Sequence, residues 1–478
     1  MASCNSDYPG ILTLLKFTKR PLLIYTKTNC MSNEPATLAA PVGQQERITI
    51  LDSLRGIAIL GILLMNIPGF GLPYAQTSDP SIYYETGINY KTWFVVDWAL
   101  AGTQRAIFSM LFGAGMILFI TKLEKRMNGM EPAIYFFRRQ LWLLFFGLVN
   151  AFVFLWFWDI LYAYSIYGML LFVFYRLSPK TLLILAFVNL VLMTARENKD
   201  LYHTKKIIAK GELVAKIDTT QTKLSPEQQE ALGAMIAIKE KSTSDSKRKG
   251  TESEIKAVRG NYGSVYEALS EKSMHVEMYY TYLYIWDILL FMFLGMAFYK
   301  NGVLLGNASY TVYWLMFIGG LGIGLLLSWF TQQSIISNHF SEYEISKNVS
   351  FQYYQVARMC RSLGFFGLIM LMYKSGFFKW FFALFRPVGQ MAFTNYLMQS
   401  FIGLIFFTGI GFGYFGKLER HELYIYVAVV WAIEIIWSHI WLSYFRFGPM
   451  EWAWRSLTYW KKQPFRKNNS PAGTSEAI

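Results

Sequence analysis

Several charged and amide side chains stand inside strongly apolar stretches of this sequence. Arg55 and Asn66 belong to the apolar stretch 50–70, and Asp159 directly follows the aromatic run 156–158. Burying such groups in an apolar environment costs free energy unless they are paired. Where they are retained, they often have a function. A carboxylate such as Asp159 can act as a general base or bind a polar substrate group, and it can equally cap the start of a helix.

The spacing of Arg55 and Asn66 allows two interpretations. Eleven residues separate them, which on a helix corresponds to about 16 Å, so they would lie near opposite boundaries of a membrane. A site that bridges the membrane could use both side chains. Alternatively, Arg55 extends to lipid headgroups and Asn66 hydrogen-bonds a neighbouring helix.

Three further arginines lie at the ends of apolar segments, on the side opposite Arg55. They are Arg105, Arg358 and Arg361, and the last two share a helix face because they are three residues apart. A guanidinium group binds phosphate or carboxylate through two parallel donors, so these arginines are candidate substrate-binding residues. The alternative is an ion pair between helices, with Asp97 or Asp287 as the partner.

Two amides form a polar stripe in the last third of the chain. Asn395 and Gln399 are four residues apart and therefore lie on one helix face. They are candidate substrate-binding residues, with polar contacts between helices as the alternative.

The composition indicates that lipid surrounds these residues. Hydrophobic residues make up 54% of the chain and charged residues 16%, against roughly 25% charged in soluble proteins. We therefore predict an all-α integral membrane protein of about ten transmembrane helices with one long hydrophilic insertion. The predicted spans are 50–70, 104–121, 136–157, 159–175, 180–195, 278–299, 309–330, 354–373, 388–413 and 423–445.

Basic residues give the predicted orientation. The ten-span count puts every short basic connection on one face, and the positive-inside rule makes that face cytoplasmic, with both chain ends there. The net charge of +14 is then explained by topology and anionic lipid, and no nucleic-acid partner is predicted. The three scattered cysteines predict no metal site. The glycine runs 112–115 and 319–324 lie inside apolar spans and predict close helix packing.

The chain divides into five predicted segments. They are a disordered segment 1–46 in which Met31 is a candidate true start, an N-terminal membrane half 47–195, an extracytoplasmic insertion 196–276, a C-terminal membrane domain 277–462 and a disordered tail 463–478. Lys, Glu, Gln and Ser dominate the insertion, which reads either as a small helical cap or as a flexible linker.

Several motifs together resemble a known family. They are 51–56 (LDSLRG), 108–115 (FSMLFGAG), 138–141 (RRQL), 158–164 (WDILYAY), 389–400 (GQMAFTNYLMQS) and 447–459 (FGPMEWAWRSLTY). With these motifs the stretch 47–462 resembles the YeiB-like membrane proteins of domain of unknown function 418. The resemblance implies a multi-pass protein of the bacterial inner membrane with no assigned activity.

The N-terminal half also resembles heparan-alpha-glucosaminide N-acetyltransferase and, more remotely, the membrane acyltransferases of surface glycans. This resemblance implies transfer of an acyl group from cytoplasmic acyl-coenzyme A to an extracytoplasmic glycan or lipid, without a tightly bound cofactor. Arg55, Arg138 and Arg139 would then lie near the coenzyme phosphates. Asn66 stands where the glycan enzymes have a catalytic His, and 67–103 contains no His, so Asp97 and Asp159 are the candidate bases.

Two functions therefore remain open. The first is the membrane acyltransferase, with the thioester reaching a cavity near Asn66. The second is a non-enzymatic transporter or flippase of a polar lipid or solute, in which Asp287, Glu434, Arg358 and Arg361 would line a path. The oligomeric state is not indicated by the sequence.

Overall fold

A computed structural model describes residues 48–84, 86–218, 220 and 223–467. The predicted segment 1–46 with its candidate start Met31 lies outside these residues, as does the tail from 468 onward. The described residues form helices and connections without a β-strand, apart from an isolated bridge between Phe445 and Arg466. The prediction of an all-α integral membrane protein is confirmed.

The N-terminal membrane half contains α1 to α6 and enters α7. The helices are α1 (Thr49–Gly71), α2 (Tyr74–Ser78), α3 (Gly87–Leu100), α4 (Thr103–Glu124), α5 (Glu131–Phe152), α6 (Leu161–Leu171) and α7 (Pro179–Val214), with a 3-10 turn at Pro80–Ile82. Because α7 is continuous, the predicted boundary between residues 195 and 196 falls inside this helix.

The insertion contains α8 (Pro226–Lys241), α9 (Ser244–Val258) and α10 (Tyr262–His275). Its polar helices are anchored to the rest of the chain. Lys247 Nζ lies 2.6 Å from Asp79 Oδ2 and 2.9 Å from the Phe340 carbonyl oxygen, and Glu254 accepts a 2.9 Å bond from the Tyr74 backbone N–H. Of the two interpretations of the insertion, the structure therefore supports the small helical cap.

The C-terminal membrane domain begins with a π-helical turn at Val276–Tyr280. The elements that follow are α11 (Thr281–Leu283), α12 (Ile285–Lys300), a 3-10 turn at Val303–Leu305, α13 (Tyr310–Trp314), a π turn at Leu315–Gly319, α14 (Gly320–Ser337), α15 (Glu342–Asn348), α16 (Tyr354–Ser375), α17 (Lys379–Gln390), α18 (Ala392–Phe407), α19 (Arg420–Tyr444) and α20 (Pro449–Tyr459). Residues 463–467 pack back on the end of α19, where Phe465 O accepts from the Arg446 backbone N–H.

Six helical segments of the described chain are long and apolar enough to cross a membrane. They are Thr49–Gly71, Gly87–Glu124, Pro179–Val214, Tyr310–Ser337, Tyr354–Ser375 and Arg420–Tyr444. The pair Tyr262–Leu283 and Ile285–Lys300, bent by 64°, would add a seventh. The predicted count of ten is not confirmed: α6 and α18 are apolar but have only 11 and 16 residues, less than the roughly 20 that a straight span needs.

Glycines allow several of these helices to touch backbone to backbone. Where α1 meets α17, a side chain at Gly56 would collide with the Phe385 carbonyl oxygen, and one at Gly389 with the Asp52 carbonyl oxygen. Gly320 and Gly324 of α14 also lie close to α16, where a Cβ atom would meet its nearest neighbours at 2.7 and 2.6 Å. The close packing predicted for the run 319–324 is therefore present, and the α1–α17 contact fixes the first helix, which carries Arg55.

Candidate functional site

A cavity of about 270 Å³ lies among α1, α4, α5, α6, α18 and α20. Its middle is apolar, with aliphatic and aromatic side chains that include Leu111, Phe112, Met116, Leu143 and Leu161. The start of α1 and the end of α4 meet at one end of the cavity, and the charged residues collect there. Such a concave apolar space with a few polar groups is typical of ligand sites.

Four cationic residues lie at the charged end of the cavity: Arg55, Lys122, Arg139 and Arg455. The Arg55 guanidinium makes a 3.0 Å ion pair with Asp52, one turn earlier on α1, and about 29% of its side chain remains exposed. The Arg139 guanidinium stacks on Trp454 of α20 at 3.7 Å and on Phe119 at 4.8 Å. These aromatic contacts hold the Arg139 group flat at the cavity wall.

The two acidic residues at the charged end, Asp52 and Glu451, differ in how many hydrogen bonds their carboxylates already accept. Glu451 accepts bonds from the Phe393 and Thr394 backbone N–H groups at 2.7 and 3.0 Å, and from the Thr394 hydroxyl at 2.6 Å. It therefore caps the first turn of α18. Burial raises the pKa of the Glu451 carboxyl, and the bonds from Thr394 oppose that rise. The four cations thus outnumber Asp52 and Glu451, so this end favours an anion.

Two tyrosines line the opposite, inner end of the cavity. The hydroxyl of Tyr164 shares a 2.6 Å hydrogen bond with Ser109. The Tyr396 hydroxyl donates to Asp159 Oδ1 at 3.2 Å and accepts from the Ile160 backbone N–H at 3.1 Å. Tyr396 is therefore the link between the cavity and Asp159.

Asp159 lies behind this wall, in the connection between α5 and α6, with 5% of its surface exposed. Besides the Tyr396 bond, its carboxyl accepts from Asn150 Nδ2 at 2.7 Å and from the Tyr162 backbone N–H at 2.8 Å. Burial raises the pKa of Asp159, and the three donors oppose that rise. The predicted alternative of a helix cap is thus present, and it is combined with the positioning of Tyr396.

The other residues predicted for the coenzyme and the thioester lie elsewhere. Arg138, next to Arg139 in sequence, faces a separate groove, where it stacks on Trp460 at 4.5 Å and donates to the Thr458 carbonyl oxygen at 3.3 Å. Asn66 is half-buried and is not part of the cavity lining. Of these predicted residues the cavity therefore unites Arg55 and Arg139.

The predicted outer arginines form a compact ion-pair cluster. Arg105 lies 2.7 Å from Asp287, and Arg358 donates to the same carboxylate at 3.1 Å. Arg361 donates at 3.1 Å to the carbonyl oxygens of Asp97 and Ala101, at the end of α3. The alternative of an ion pair between helices is thus realised for Arg105 and Arg358.

Asp97, the other candidate base, is engaged on the outer side. Its carboxylate accepts a hydrogen bond from Gln332 Nε2 of α14. It lies outside the cavity lining, so the structure does not bring the two candidate bases Asp97 and Asp159 into one site.

The predicted amide stripe joins helices. Asn395 donates to Ser438 Oγ at 3.1 Å and Gln399 donates to Glu434 Oε2 at 3.0 Å, which ties α18 to α19. Asp287 and Glu434, proposed to line one transport path, belong to two different clusters. Neither lines the cavity.

The family described as "Protein of unknown function (DUF418)" matches residues 298–461. The uncharacterized protein YxaH of Bacillus subtilis is 27% identical over 446 residues, 89% of this chain and 98% of YxaH. The uncharacterized protein YeiB of Escherichia coli is 28% identical over 429 residues, 86% of this chain and 96% of YeiB. The chain is thus similar to YxaH and YeiB over most of its length, and its C-terminal third resembles the DUF418 family.

These matches confirm the resemblance read from the motifs but not the activity inferred from it. YxaH and YeiB are both described as uncharacterized, and neither name supports acyl transfer or transport. No solved structure matches the chain.

Four residues contribute to the candidate site although they were not predicted as site residues from the sequence. Lys122, Arg455 and Tyr396 line the cavity, and Glu277 is a buried carboxyl near Asp159. Arg455 and Tyr396 both lie inside the family motifs, which is the signal that could have found them. Glu277 lies outside those motifs, and the signal that could have found it is its four-residue spacing from Leu269 and Ser273 on one helix face. Among the described residues no cluster of three or more His, Cys, Asp or Glu side chains could hold a metal ion.

Proposed function

We propose that this protein is a membrane acyltransferase that moves an acyl group from cytoplasmic acyl-coenzyme A to an extracytoplasmic glycan or lipid. The observation that carries the proposal is the cavity, which is cationic at one end, apolar in the middle and closed by Tyr164 and Tyr396 at the other end. An amphipathic anion with a long thin tail has this distribution of charge. Acyl-coenzyme A has phosphates at one end and a thioester chain at the other.

The charged end fits the phosphates of the donor. Arg55 and Arg139 come from different helices and point to one cavity, and guanidinium groups bind phosphate oxygens with two parallel donors. The aromatic stacking of Arg139 keeps that group ordered before the donor arrives, which reduces the entropy lost on binding. Leu111, Phe112 and Leu143 line the space that the apolar chain would fill.

The reaction requires attack of an acceptor hydroxyl or amine on the thioester carbonyl, with loss of a proton from the acceptor. Tyr396 is the hydroxyl at the inner end of the cavity, and Asp159 fixes its position at 3.2 Å. Asp159 accepts the hydrogen bond of the Tyr396 hydroxyl, so its part is to orient Tyr396 and to accept a proton from it. Asn66 would lie on the acceptor side, where its amide can donate to a polar acceptor.

The orientation belongs to the proposal as well. The charged end of the cavity faces the cytoplasm of a bacterium, in the inner membrane, with both chain ends on that side, because Lys122 and Arg139 lie beside the short basic connections. Acyl-coenzyme A is made in the cytoplasm, so this orientation gives the donor access. The insertion then lies on the acceptor side.

The test uses the full-length protein, purified in lipid nanodiscs, with acetyl-coenzyme A and palmitoyl-coenzyme A as probes. We expect saturable binding of at least one probe and slow hydrolysis of its thioester without an acceptor. Absence of binding to both would contradict the proposal. The competing transporter is tested in vesicles: solute or lipid movement in the absence of any coenzyme would favour it.

A further inference from the structure

Glu277 is a carboxyl group buried without hydrogen-bond partners. None of its surface is exposed, and neither of its carboxyl oxygens has a partner among the described residues. The Thr281 side chain lies beside the carboxyl and opposes part of the effect of burial. A buried carboxylate without donors is costly by several kcal/mol, so such a group keeps its proton.

The backbone around Glu277 is unusual. Glu277 lies in the π-helical turn Val276–Tyr280, which is followed by the single turn α11 and then by the 64° bend between α11 and α12. Single π turns inside helices are rare overall, and those that occur are often found at functional sites. Glu277 continues the buried face of this segment, because the buried residues Leu269, Ser273, Glu277 and Thr281 follow one another at four-residue spacing.

Contacts on both sides hold this turn against the Asp159 region. Ser273 donates to the Ala151 carbonyl oxygen at 2.9 Å, at the end of α5. The hydroxyls of Tyr162 and Tyr282 lie 3.1 Å apart, and Tyr167 donates to the Thr281 carbonyl oxygen. The segment that carries Glu277 is therefore held against the end of α5 and against α6, on either side of the connection that carries Asp159.

The ionisable groups around Glu277 come from three elements. They are Asp159 from the connection after α5, Tyr162 and Tyr167 from α6, and Tyr396 from α18, with Tyr282 on its own segment. Asp159 is close enough to act electrostatically on Glu277. Two like carboxyls in one buried site do not both ionise readily.

The two carboxyls have opposite environments. Asp159 receives three hydrogen bonds, which favour its ionised form, whereas Glu277 receives none, which favours its protonated form. Pairs whose environments differ in this way divide the roles of base and acid between them.

We propose that Glu277 is the outward proton-releasing member of a relay Tyr396–Asp159–Glu277 that starts at the inner end of the cavity. The proposal rests on the proposed acyl transfer. When the acceptor oxygen forms its bond to the acyl carbon and the carbon–sulfur bond breaks, Tyr396 takes the acceptor proton and passes its own to Asp159. Glu277 releases its proton on the insertion side and then takes the one from Asp159, while the leaving thiolate takes a proton from cytoplasmic water.

The first experiment measures the protonation of Glu277 by infrared difference spectroscopy of the full-length protein in nanodiscs. The spectrum of wild type minus Glu277→Gln should contain the C=O stretch of a protonated carboxyl at pH 7, shifted in D₂O. Glu271→Gln, an exposed acid on the same helix, is the matched control and should lack that band. A carboxylate signal in place of the acid band at pH 7 would overturn the assignment, whether or not the protein transfers acyl groups.

The second experiment measures acyl transfer from the donor found to bind, as a function of pH. Glu277→Gln should bind that donor within about twofold of wild type and lower kcat at least tenfold, with loss of the wild-type pH dependence. Tyr396→Phe, which removes the first link, should have the same effect on the pH profile. A Glu277→Gln enzyme with the wild-type rate and pH profile would refute the relay while leaving acyl transfer intact. Absence of transfer by wild type would refute the proposed function and the relay with it.

Discussion

Gly113 of α4 and Gly295 of α12 lie face to face and bring two membrane helices into backbone contact. A Cβ atom on Gly113 would collide with the Met292 carbonyl oxygen, and one on Gly295 with the Met110 carbonyl oxygen. The contact is reciprocal, so neither helix can move away to admit a side chain without losing the other contact. It also fixes α4, which contributes Phe112, Met116 and Lys122 to the cavity.

We expect Gly295→Ala to destabilise the protein by about 1–3 kcal/mol, because the added methyl meets backbone that has no room to move. Gly322→Ala is the matched control, since a Cβ at Gly322 meets nothing within 4 Å. Thermal unfolding in detergent, followed by fluorescence, measures both. Equal melting temperatures for the two variants would show that the α4–α12 contact is not tight.

Removal of the shared carboxylate of the outer cluster should be more damaging. Asp287→Asn leaves Arg358, which has about 1% of its side chain exposed, as a buried charge without its ion pair, at a cost of about 3–5 kcal/mol. Glu124→Gln provides the comparison, because its partner Arg176 has 79% of its side chain exposed and such a surface pair contributes about 0–1 kcal/mol. Similar unfolding temperatures for the two variants would contradict a buried pair.

Donor binding should depend on Arg139 and not on Arg138. Arg139→Ala should weaken acyl-coenzyme A binding by about tenfold or more, the order expected for a lost hydrogen bond to a charged group. Arg138→Ala should change the dissociation constant less than twofold, because that side chain faces away from the cavity. Isothermal titration in nanodiscs measures both, and the reverse order would place the phosphates in the Arg138 groove.

The anchoring of the insertion can be tested by limited proteolysis. Lys247→Ala removes the 2.6 Å ion pair to Asp79 and the bond to the Phe340 carbonyl oxygen, so α9 should be cleaved several-fold faster. Lys249→Ala alters an exposed residue of the same helix and should be cleaved at the wild-type rate. Equal rates for the two variants would mean that α9 is held by other contacts.

Reporter fusions test the orientation. A fusion after Arg126 should report a cytoplasmic location, and one inserted after Ser242, between α8 and α9, should report an extracytoplasmic one. The opposite pattern would remove the donor access on which the proposed function depends.

Part of the cavity lining could be predicted from the sequence. Arg55 and Arg139 were assigned to the donor, and both line the cavity. Arg138 was assigned with them, but consecutive residues of a helix point about 100° apart, so only one of the two can face the cavity. A sequence pattern cannot say which one without knowing what packs on α5.

The remaining differences come from tertiary structure. Asp159 is surrounded by donors from α5, α6 and α18, and nothing in its local sequence predicts that meeting of elements. Glu277 stands at the boundary between the predicted insertion 196–276 and the predicted span 278–299, and its burial results from the packing of this segment against α5 and α6. The interruption between α17 and α18 likewise divides a stretch that was predicted as one span.

The 36-residue helix α7 links the two parts of the molecule mechanically. At 1.5 Å per residue it is a rod of about 54 Å, with one end packed along α12 and the other carrying α8 of the insertion. A molecule that binds the insertion therefore contacts one end of a continuous helix. The other half of this helix packs along α12, which carries Asp287 and lies beside its arginines. Because α7 is continuous, a displacement of its insertion end would be transmitted to the half that packs along α12.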